Sequence, residues 1–309
     1  MPSVSVVVPV KDGAAHLPAL LAAVAAQQVE GGAELIALDS GSQDGSRALL
    51  AAVRGVPVRV LDVAPGEFDH GATRNRGARE AGGEFVAFLS QDALPVGPRY
   101  LAALVEPLRR DPRIAGATAR QVPRPDSDPV TRARLAQSPV AAAASRVTFA
   151  TAGELDALPP LERLRRCTFD DVGSAVRREV LLAHPFPETV FGEDVAWADR
   201  VLRAGFGLAH APAAEVVHSH PRRARALFRR RYLEHRALAE LFELDTVPTA
   251  ARLARAALAA GFRDVVLSWQ GGAPFVDCLL AVPRAAAEVA GQYAGPRDAR
   301  HGRPWPEWA

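Results

Sequence analysis

Lysine is almost missing from this chain of 309 residues: Lys11 stands alone, and arginine carries the rest of the positive charge. The two signs nearly cancel, with 37 Lys and Arg against 35 Asp and Glu and a net charge of +2. So even a balance gives no general attraction to a polyanion, and nucleic acid is not an expected partner. Cysteine occurs twice, as Cys167 and Cys278, far apart in sequence. That excludes a dense disulfide scaffold and a thiolate metal site, and it suits a reducing cytoplasm. No apolar run reaches the roughly 18 uninterrupted residues expected of a membrane-crossing helix. The opening MPSVSVVVPV has no basic segment and is too short for a secretory signal, so none is expected. With 49% apolar residues the chain can still fill a large core.

What is present is an alternation of strands and helices over the first 120 residues. Apolar runs at Val4–Val10, 34–38, 56–63, 84–89 and 114–119 read as strands. Helical spacing falls between them at 17–28, 44–53, 73–82 and 99–110. Near-continuous apolar strands separated by helices imply an α/β fold with a mostly parallel sheet covered on both faces. Ligands of such sheets bind beyond the carboxyl ends of the strands. Residues 120–170 have no clear period: 122–129 is rich in Pro and Asp, and 141–144 is a featureless alanine run. This segment reads as a lid, a substrate loop or a plain surface excursion. From residue 221 the pattern is helical, at 222–244, 248–260 and 263–290, with a break at Gly271-Gly272. The expected division is 1–220 as the α/β domain, 221–294 as a helical region and 295–309 as a loosely ordered tail. Arg222, Arg223, Arg225, Arg229, Arg230 and Arg231 form a basic block interleaved with Leu227, Phe228, Tyr232 and Leu233. Such a helix suits peripheral contact with an anionic membrane, and equally a solvated face.

Several polar groups fall at expected strand ends. Asp39, in LDSGSQDGS, can accept a hydrogen bond from a pyrimidine N3–H or a ribose hydroxyl; a helix cap made by Ser42 or Asp44 is the plainer reading of the segment. Phe68 to Asn75 (FDHGATRN) leads into a helix whose free N–H groups favour an anion, and Arg74 adds bidentate geometry for phosphate. Asp92 follows a buried strand in FLSQDALP, where a divalent cation bridging two phosphates needs a carboxylate. His218 and His220 lie two apart, on one face of an extended run, and can complete its shell, with imidazole favouring manganese over magnesium. Glu193 and Asp194 open a helix continued by Val195, Trp197, Val201 and Leu202. Acids there complement the helix dipole. As chemistry, Asp194 is the candidate general base for a hydroxyl nucleophile, with Glu193 orienting it or holding the acceptor.

The opening VSVVVPVKDGAAHLPALL, LDSGSQDGS, FLSQDALP and FGEDVAWADRVLRAGF together resemble family-2 inverting glycosyltransferases. FDHGATRNRGA, SQDA and FDDVGSAVRREVLLAHPFPE resemble more narrowly the bacterial rhamnosyltransferases of that family. The resemblance spans residues 3–235 and implies a GT-A type nucleotide-sugar-binding fold with a C-terminal helical extension. It implies that Asp39, Ser40, His70, Arg74, Asn75 and Gln91 line the nucleotide sugar, with Asp39 at the base and Arg74 and Asn75 at the ribose or diphosphate. It implies a divalent metal, Mn2+ or Mg2+, on Asp92 and on His218 or His220, and Asp194 as catalytic base. Ser90-Gln91-Asp92 stands where many relatives carry more carboxylates. The implied reaction moves a sugar, rhamnose from a dTDP donor, onto a hydroxyl of a glycan or lipid-linked acceptor. That is a step of cell-envelope polysaccharide synthesis in the cytoplasm, at the inner membrane face if the basic helix binds there. The same residues leave two other readings open: a metal-dependent hydrolase, and a non-catalytic protein that binds nucleotide sugar or glycan.

Overall fold

The computed structural model describes residues 2–64, 66–138 and 146–308. The first half contains β1 (Val4–Val10), α1 (Leu17–Ala25), β2 (Ala33–Asp39), α2 (Ser46–Ala52), β3 (Val58–Asp62), α3 (His70–Glu80), β4 (Phe85–Leu89), β5 (Leu94–Pro95), α4 (Tyr100–Arg110) and β6 (Ile114–Val122). Then come α5 (Pro129–Gln137), β7 (Arg146–Phe149), α6 (Ala152–Asp156), α7 (Pro160–Arg166), β8 (Gly173–Arg177), α8 (Arg178–Ala183), α9 (Glu193–Arg203) and β9 (Gly207–Val217). The chain ends in α10 (Ala224–Phe242), α11 (Ala250–Gln270) and α12 (Phe275–Arg300).

One sheet runs in the order β3-β2-β1-β4-β8-β6-β9-β5, with β7 also paired to β9. β1, β2, β3, β4, β6 and β9 point the same way; β8, β5 and β7 oppose them. β-Branched residues crowd β1, and their period of two splits them between the faces. Val4, Val6, Val8 and Val10 meet α1 and α4 on one side. Val7, with Ile36 and Phe88 from the neighbouring strands, meets α3 and α9 on the other. Two apolar layers on one sheet explain why the strands read as unbroken apolar runs.

The direction of the strands decides where polar side chains collect. β1, β2, β4, β6 and β9 all finish at one edge, and β8, running backwards, starts there. Register confirms it: Leu89, the last residue of β4, is opposite Gly173, the first of β8. Asp39, Asp92, Asp170-Asp171, Gln121 and His218 therefore share the carboxyl edge of the sheet, although 179 positions separate the first from the last.

The described parts of the 120–170 segment, 120–138 and 146–170, are more ordered than their composition suggests. Asp128 caps α5 through the Val130 and Thr131 amides, Thr151 and Glu154 form a capping box on α6, and β7 joins the sheet beside β9. Local side-chain caps make such short helices possible where no apolar period announces them. The 141–144 alanine run lies outside the described residues.

The C-terminal helices also depart from expectation. α11 runs unbroken through residues 261 and 262, and the chain turns at Gly271-Gly272, where Gly272 has φ 72°. α12 continues through Pro296 to Arg300, so the expected loose tail is helical for its first six residues, 295–300. Beyond it, Trp305 stacks under Arg236 at 4.2 Å and Trp308 lies 5.3 Å from the Tyr232 ring. The reason is packing: Gly291 and Gly295 bring α12 so close to α10 that a Cβ would lie 2.5 Å from the Phe228 carbonyl and 2.4 Å from that of Tyr232.

The basic block at the start of α10 is split among partners. Arg222 is buried and donates to Asp264 (2.6 Å) and Glu288 (3.3 Å), which Arg134 also bonds at 2.8 and 2.6 Å. Arg229 stacks on Trp308 at 5.0 Å and Arg231 pairs with Glu234 at 2.5 Å. The block is thus not one lipid-facing surface. Asp264→Ala would leave Arg222 buried without its nearest countercharge, and about 3 kcal/mol of stability should be lost. A calorimetric scan should show the unfolding transition moved down, with a conservative surface change such as Arg252→Lys leaving it in place.

Candidate active site

The first cluster is built from strand ends. β4 ends at Leu89, and the Ser90-Gln91-Asp92 turn delivers Asp92 half-buried to the edge. β9 ends at Val217, and the His218 amide continues the ladder by donating to Val122 at 3.0 Å. That bond fixes His218 inward, and two residues on His220 falls on the same side. Asp92 Oδ2 is 3.6 Å from His218 Nε2 and 3.6 Å from His220 Nδ1, and one ligand atom from each residue lies within 4.8 Å of the other two. Ligands around one divalent ion sit about 3 Å apart when bonds are about 2.1 Å, so a small closure would form a site. The sequence-expected Asp92, His218 and His220 are thus brought together.

The tautomer suits a metal. Gln121, at the end of β6, donates Nε2 to Asp170 at 2.6 Å and turns Oε1 toward His218 Nδ1 at 3.4 Å. An amide oxygen only accepts, so Nδ1 carries the proton and Nε2 presents its lone pair toward Asp92. Burial pushes the His218 imidazolium down to about 4 against the opposing pull of Asp92, so the ring is neutral at physiological pH. One carboxylate and two neutral imidazoles make a donor set that fits Mn2+ better than Mg2+.

A second cluster lies on the far side of Gln121. Gly192, at φ 83°, lets the chain turn sharply into α9, which begins with Glu193 and Asp194. Glu193 Oε1 accepts from Arg74 Nη1 at 2.7 Å, and Asp171 Oδ2 lies 3.5 Å from Arg74 Nε. Asp170, Asp171, Glu193 and Asp194 thus gather around one buried guanidinium. Burial, then the charges of Glu193, Asp171 and Asp170, push Asp194 well above the ordinary carboxylate range. Burial and Glu193 raise Asp171 to about 7 although Arg74 opposes them. Asp171 is sealed in, whereas Asp194 stays half-buried, and among the described residues its carboxylate accepts only from the Val195 amide next to it, on Oδ1 at 2.7 Å. Asp170 is also half-buried, but its carboxylate is taken up by Gln121 and by the Val172 amide, which leaves Asp194 the less engaged of the two. The two clusters are continuous: Asp92, His218, Gln121 and Asp170 form a chain of contacts, and Asp170 acts on Asp194 through its charge.

Four sequence expectations change. Arg74, expected beside a diphosphate, is buried and engaged by Glu193 and Asp171. Asn75 faces inward and uses both ends of its amide on the Phe186 backbone, at 2.9 and 3.0 Å. Gln91 closes a reciprocal pair with the Lys11 backbone, 2.9 Å each way, so it holds the β1 and β4 loops together. The start of α3 is capped by the Asp69 carboxylate, which accepts from Ala72 at 2.7 Å, so an anion has less to gain there. His70 is exposed, meets the Phe68 ring edge-on at 4.8 Å, and lies within reach of the charges of Glu193 and Arg74.

Asp39 is buried at the end of β2, where it accepts from the Ser42 amide (3.2 Å) and from Arg47 (3.0 Å). Arg47 also bonds Asp62, so it covers Asp39 from the solvent side. The neighbouring Ser40 hydroxyl is buried with no partner among the described residues. The sequence reading assigned no role to Gln121, Asp170 or Asp171, and placed Arg230 only in the basic block of the helix. Arg230 on α10 is exposed, has no hydrogen bond or ion pair among the described residues, and its charge reaches Asp170, His218 and His220.

The sequence profile of glycosyl transferase family 2 matches residues 5–160. The chain belongs to this family. It is similar to the O-antigen chain rhamnosyltransferase WbaN of Salmonella anatum, 30% identical over 202 residues, which are 64% of this chain and 60% of the relative. It is also similar to RfbN of Salmonella typhimurium, of the same description, 27% identical over 232 residues, 74% of this chain and 69% of the relative. The chain thus spans 60% and 69% of these two family members. Among solved structures it is similar to a mannosyltransferase from Pyrobaculum calidifontis in complex with GDP-Man and Mn2+ (TM-score 0.63, 20% identity, 98% of this chain and 88% of that one). It is also similar to glucosyl-3-phosphoglycerate synthase from Mycobacterium tuberculosis in complex with Mn2+, UDP and glucosyl-3-phosphoglycerate (TM-score 0.54, 20% identity, 81% and 82%). Identities this low carry the fold alone, and that fold is the GT-A type α/β arrangement of family 2, with helices at its C-terminal end.

Proposed function

We propose that this family-2 protein is a metal-dependent inverting glycosyltransferase. It moves rhamnose from a dTDP donor to a hydroxyl of a glycan or lipid-linked acceptor, at the cytoplasmic face of a membrane. The observation that carries the reading is the placement of a one-carboxylate, two-imidazole cluster and a carboxyl of raised pKa on one edge of the sheet, joined through Gln121. Rhamnose is supported by the likeness to WbaN and RfbN.

Asp92, His218 and His220 would hold the divalent ion, which when bound neutralises charge on the leaving nucleoside diphosphate. The remaining work belongs to the chain. Asp39 and Ser40 hold the nucleoside, with Arg47 retained on Asp62 once Asp39 is engaged. Asp194 takes the proton of the acceptor hydroxyl as that oxygen attacks the anomeric carbon opposite the departing diphosphate oxygen. A raised pKa suits this step, since a base works best with a pKa near the operating pH. Glu193, Asp171 and Arg74 fix the position and charge of Asp194. Arg230, in place of Arg74, meets the departing diphosphate. Arg230→Ala should lower kcat/KM about ten- to a hundredfold, the worth of one charge-assisted contact. Arg74→Ala should instead lower the thermal transition as well as the rate.

The test is a donor panel: dTDP-rhamnose beside other dTDP, UDP and GDP sugars, with manganese and with a chelator. Metal-dependent release of dTDP from dTDP-rhamnose supports the reading. Hydrolysis of model esters with metal and no nucleotide requirement supports a hydrolase, and nucleotide-sugar binding without turnover supports a binding protein.

A further inference from the structure

The α11–α12 hairpin presents apolar side chains outward. Leu258, Phe262 and Trp269 on α11 are 76, 74 and 70% exposed, and Phe275, Val276 and Leu279 on α12 are 70, 59 and 58% exposed. Residues 258, 262 and 269 fall on one helical stripe, as do 275 and 279. The opposite faces bury Ala260, Asp264 and Ser268 of α11 and Cys278, Ala281 and Ala285 of α12. The two helices touch where Gly261 faces Val282, 3.6 Å from the position of a Cβ, so Phe262 and Leu279 adjoin that contact. Large apolar side chains gathered on a helical hairpin in this way mark an interaction surface.

Charge selects the occupant. The hairpin carries Arg252, Arg255, Arg263, Arg284, Arg297 and Arg300 against Asp264, Asp277, Glu288 and Asp298. All four acids are already engaged: Asp264 and Glu288 are buried with Arg134 and Arg222, Asp277 pairs with Arg284 at 3.2 Å, and Asp298 accepts from Tyr232 and Arg303 at 2.9 Å each. Arg252 and Arg255 are exposed and have no ion pair among the described residues, so the outward charge is arginine. Apolar and aromatic tips with an arginine rim suit an anionic bilayer, into which the rings insert while the guanidinium groups meet phosphate. A second copy of the chain across a twofold axis would set one arginine rim against the other. No helix among the described residues is long and apolar enough to cross a membrane, so the contact is one of lying on the surface.

We infer that the α11–α12 hairpin is the membrane-docking surface of this protein, seated on anionic lipid through Phe262, Trp269 and Phe275. The inference rests on the membrane placement proposed above, and it moves that contact from the basic block of α10 to the hairpin.

Sedimentation with vesicles of phosphatidylcholine, with and without phosphatidylglycerol, tests it. Wild-type protein should bind the anionic vesicles, more weakly at high salt, with a blue shift of tryptophan emission that Trp269→Phe abolishes. The double variant Phe262→Ser/Trp269→Gln should bind at least about tenfold more weakly, as removal of two inserted rings requires. Its thermal transition and its stabilisation by dTDP with manganese should match wild type. Undiminished binding of the double variant overturns the assignment, as does conversion of a wild-type dimer to a monomer by the same changes. Loss of binding in Arg223→Ala/Arg225→Ala, with the double variant unaffected, keeps the membrane placement and rejects the hairpin. Absence of binding by wild type rejects both, while the donor panel, run on a soluble acceptor, remains informative about transfer.

Discussion

Asp194→Asn is expected to lower kcat/KM by about a thousandfold or more, the range for loss of a positioned general base. Affinity for dTDP with manganese should change little, because Asp194 belongs to the carboxylate cluster around Arg74 and not to the metal triad. The pH profile gives a second readout. The base must be ionised to act, so kcat/KM falls as pH drops through the pKa of Asp194. With that pKa raised by burial and by Glu193, Asp171 and Asp170, the acid limb should lie above the ordinary carboxylate range. Stability should move the opposite way to activity. In the unfolded chain Asp194 ionises at an ordinary pKa, while in the fold it holds its proton to higher pH. Between those two values the folded state binds more protons than the unfolded one, so stability falls as pH rises through that window. Asn carries no charge to repel its neighbours, so Asp194→Asn should melt higher than wild type at neutral pH. A variant both slower and more stable is the signature of a carboxylate held in place for chemistry.

Asp92→Ala is expected to remove metal dependence together with activity, by about a hundredfold or more. Asp92 supplies the only carboxylate of the triad, and both imidazole nitrogens face its Oδ2 at 3.6 Å. Added manganese should not rescue this variant, and titration followed by electron paramagnetic resonance should show weak binding only. Gln121→Leu tests the proton placement on His218. It leaves the three ligands in place but removes the oxygen that orients His218 Nδ1, so manganese should bind about ten- to a hundredfold more weakly. Equal manganese affinity in Gln121→Leu and wild type would show that His218 is not a ligand through Nε2.

Residues whose position follows from strand ends were readable in the sequence. Asp92 and His218 each follow an apolar run, and parallel strands put the ends of such runs on one edge. Asp194 was readable because acids open a helix there. The partners of these residues were not. Asp170 and Asp171 precede β8, a short strand that runs against its neighbours, and nothing in FDDVGSAVR announces its direction. Arg74 and Asn75 sit in a segment dense with polar groups, and only the packed structure shows that both face inward, onto Glu193 and Phe186. Gln91 shows the same limit: its position beside the site was legible, but its hydrogen bonds to Lys11 were not. The six arginines of α10 formed one block in sequence, yet packing sends Arg222 into a buried ion network and leaves Arg230 beside the triad. Side-chain destination is a tertiary property, and the charge of a residue does not reveal it.

The proposed role of Asp194 as base, and not as nucleophile, implies one displacement at the anomeric carbon. Nuclear magnetic resonance of the product made from an anomerically pure donor measures this directly. The account predicts a new glycosidic bond of opposite configuration to the donor; a product that keeps the donor's configuration would contradict it.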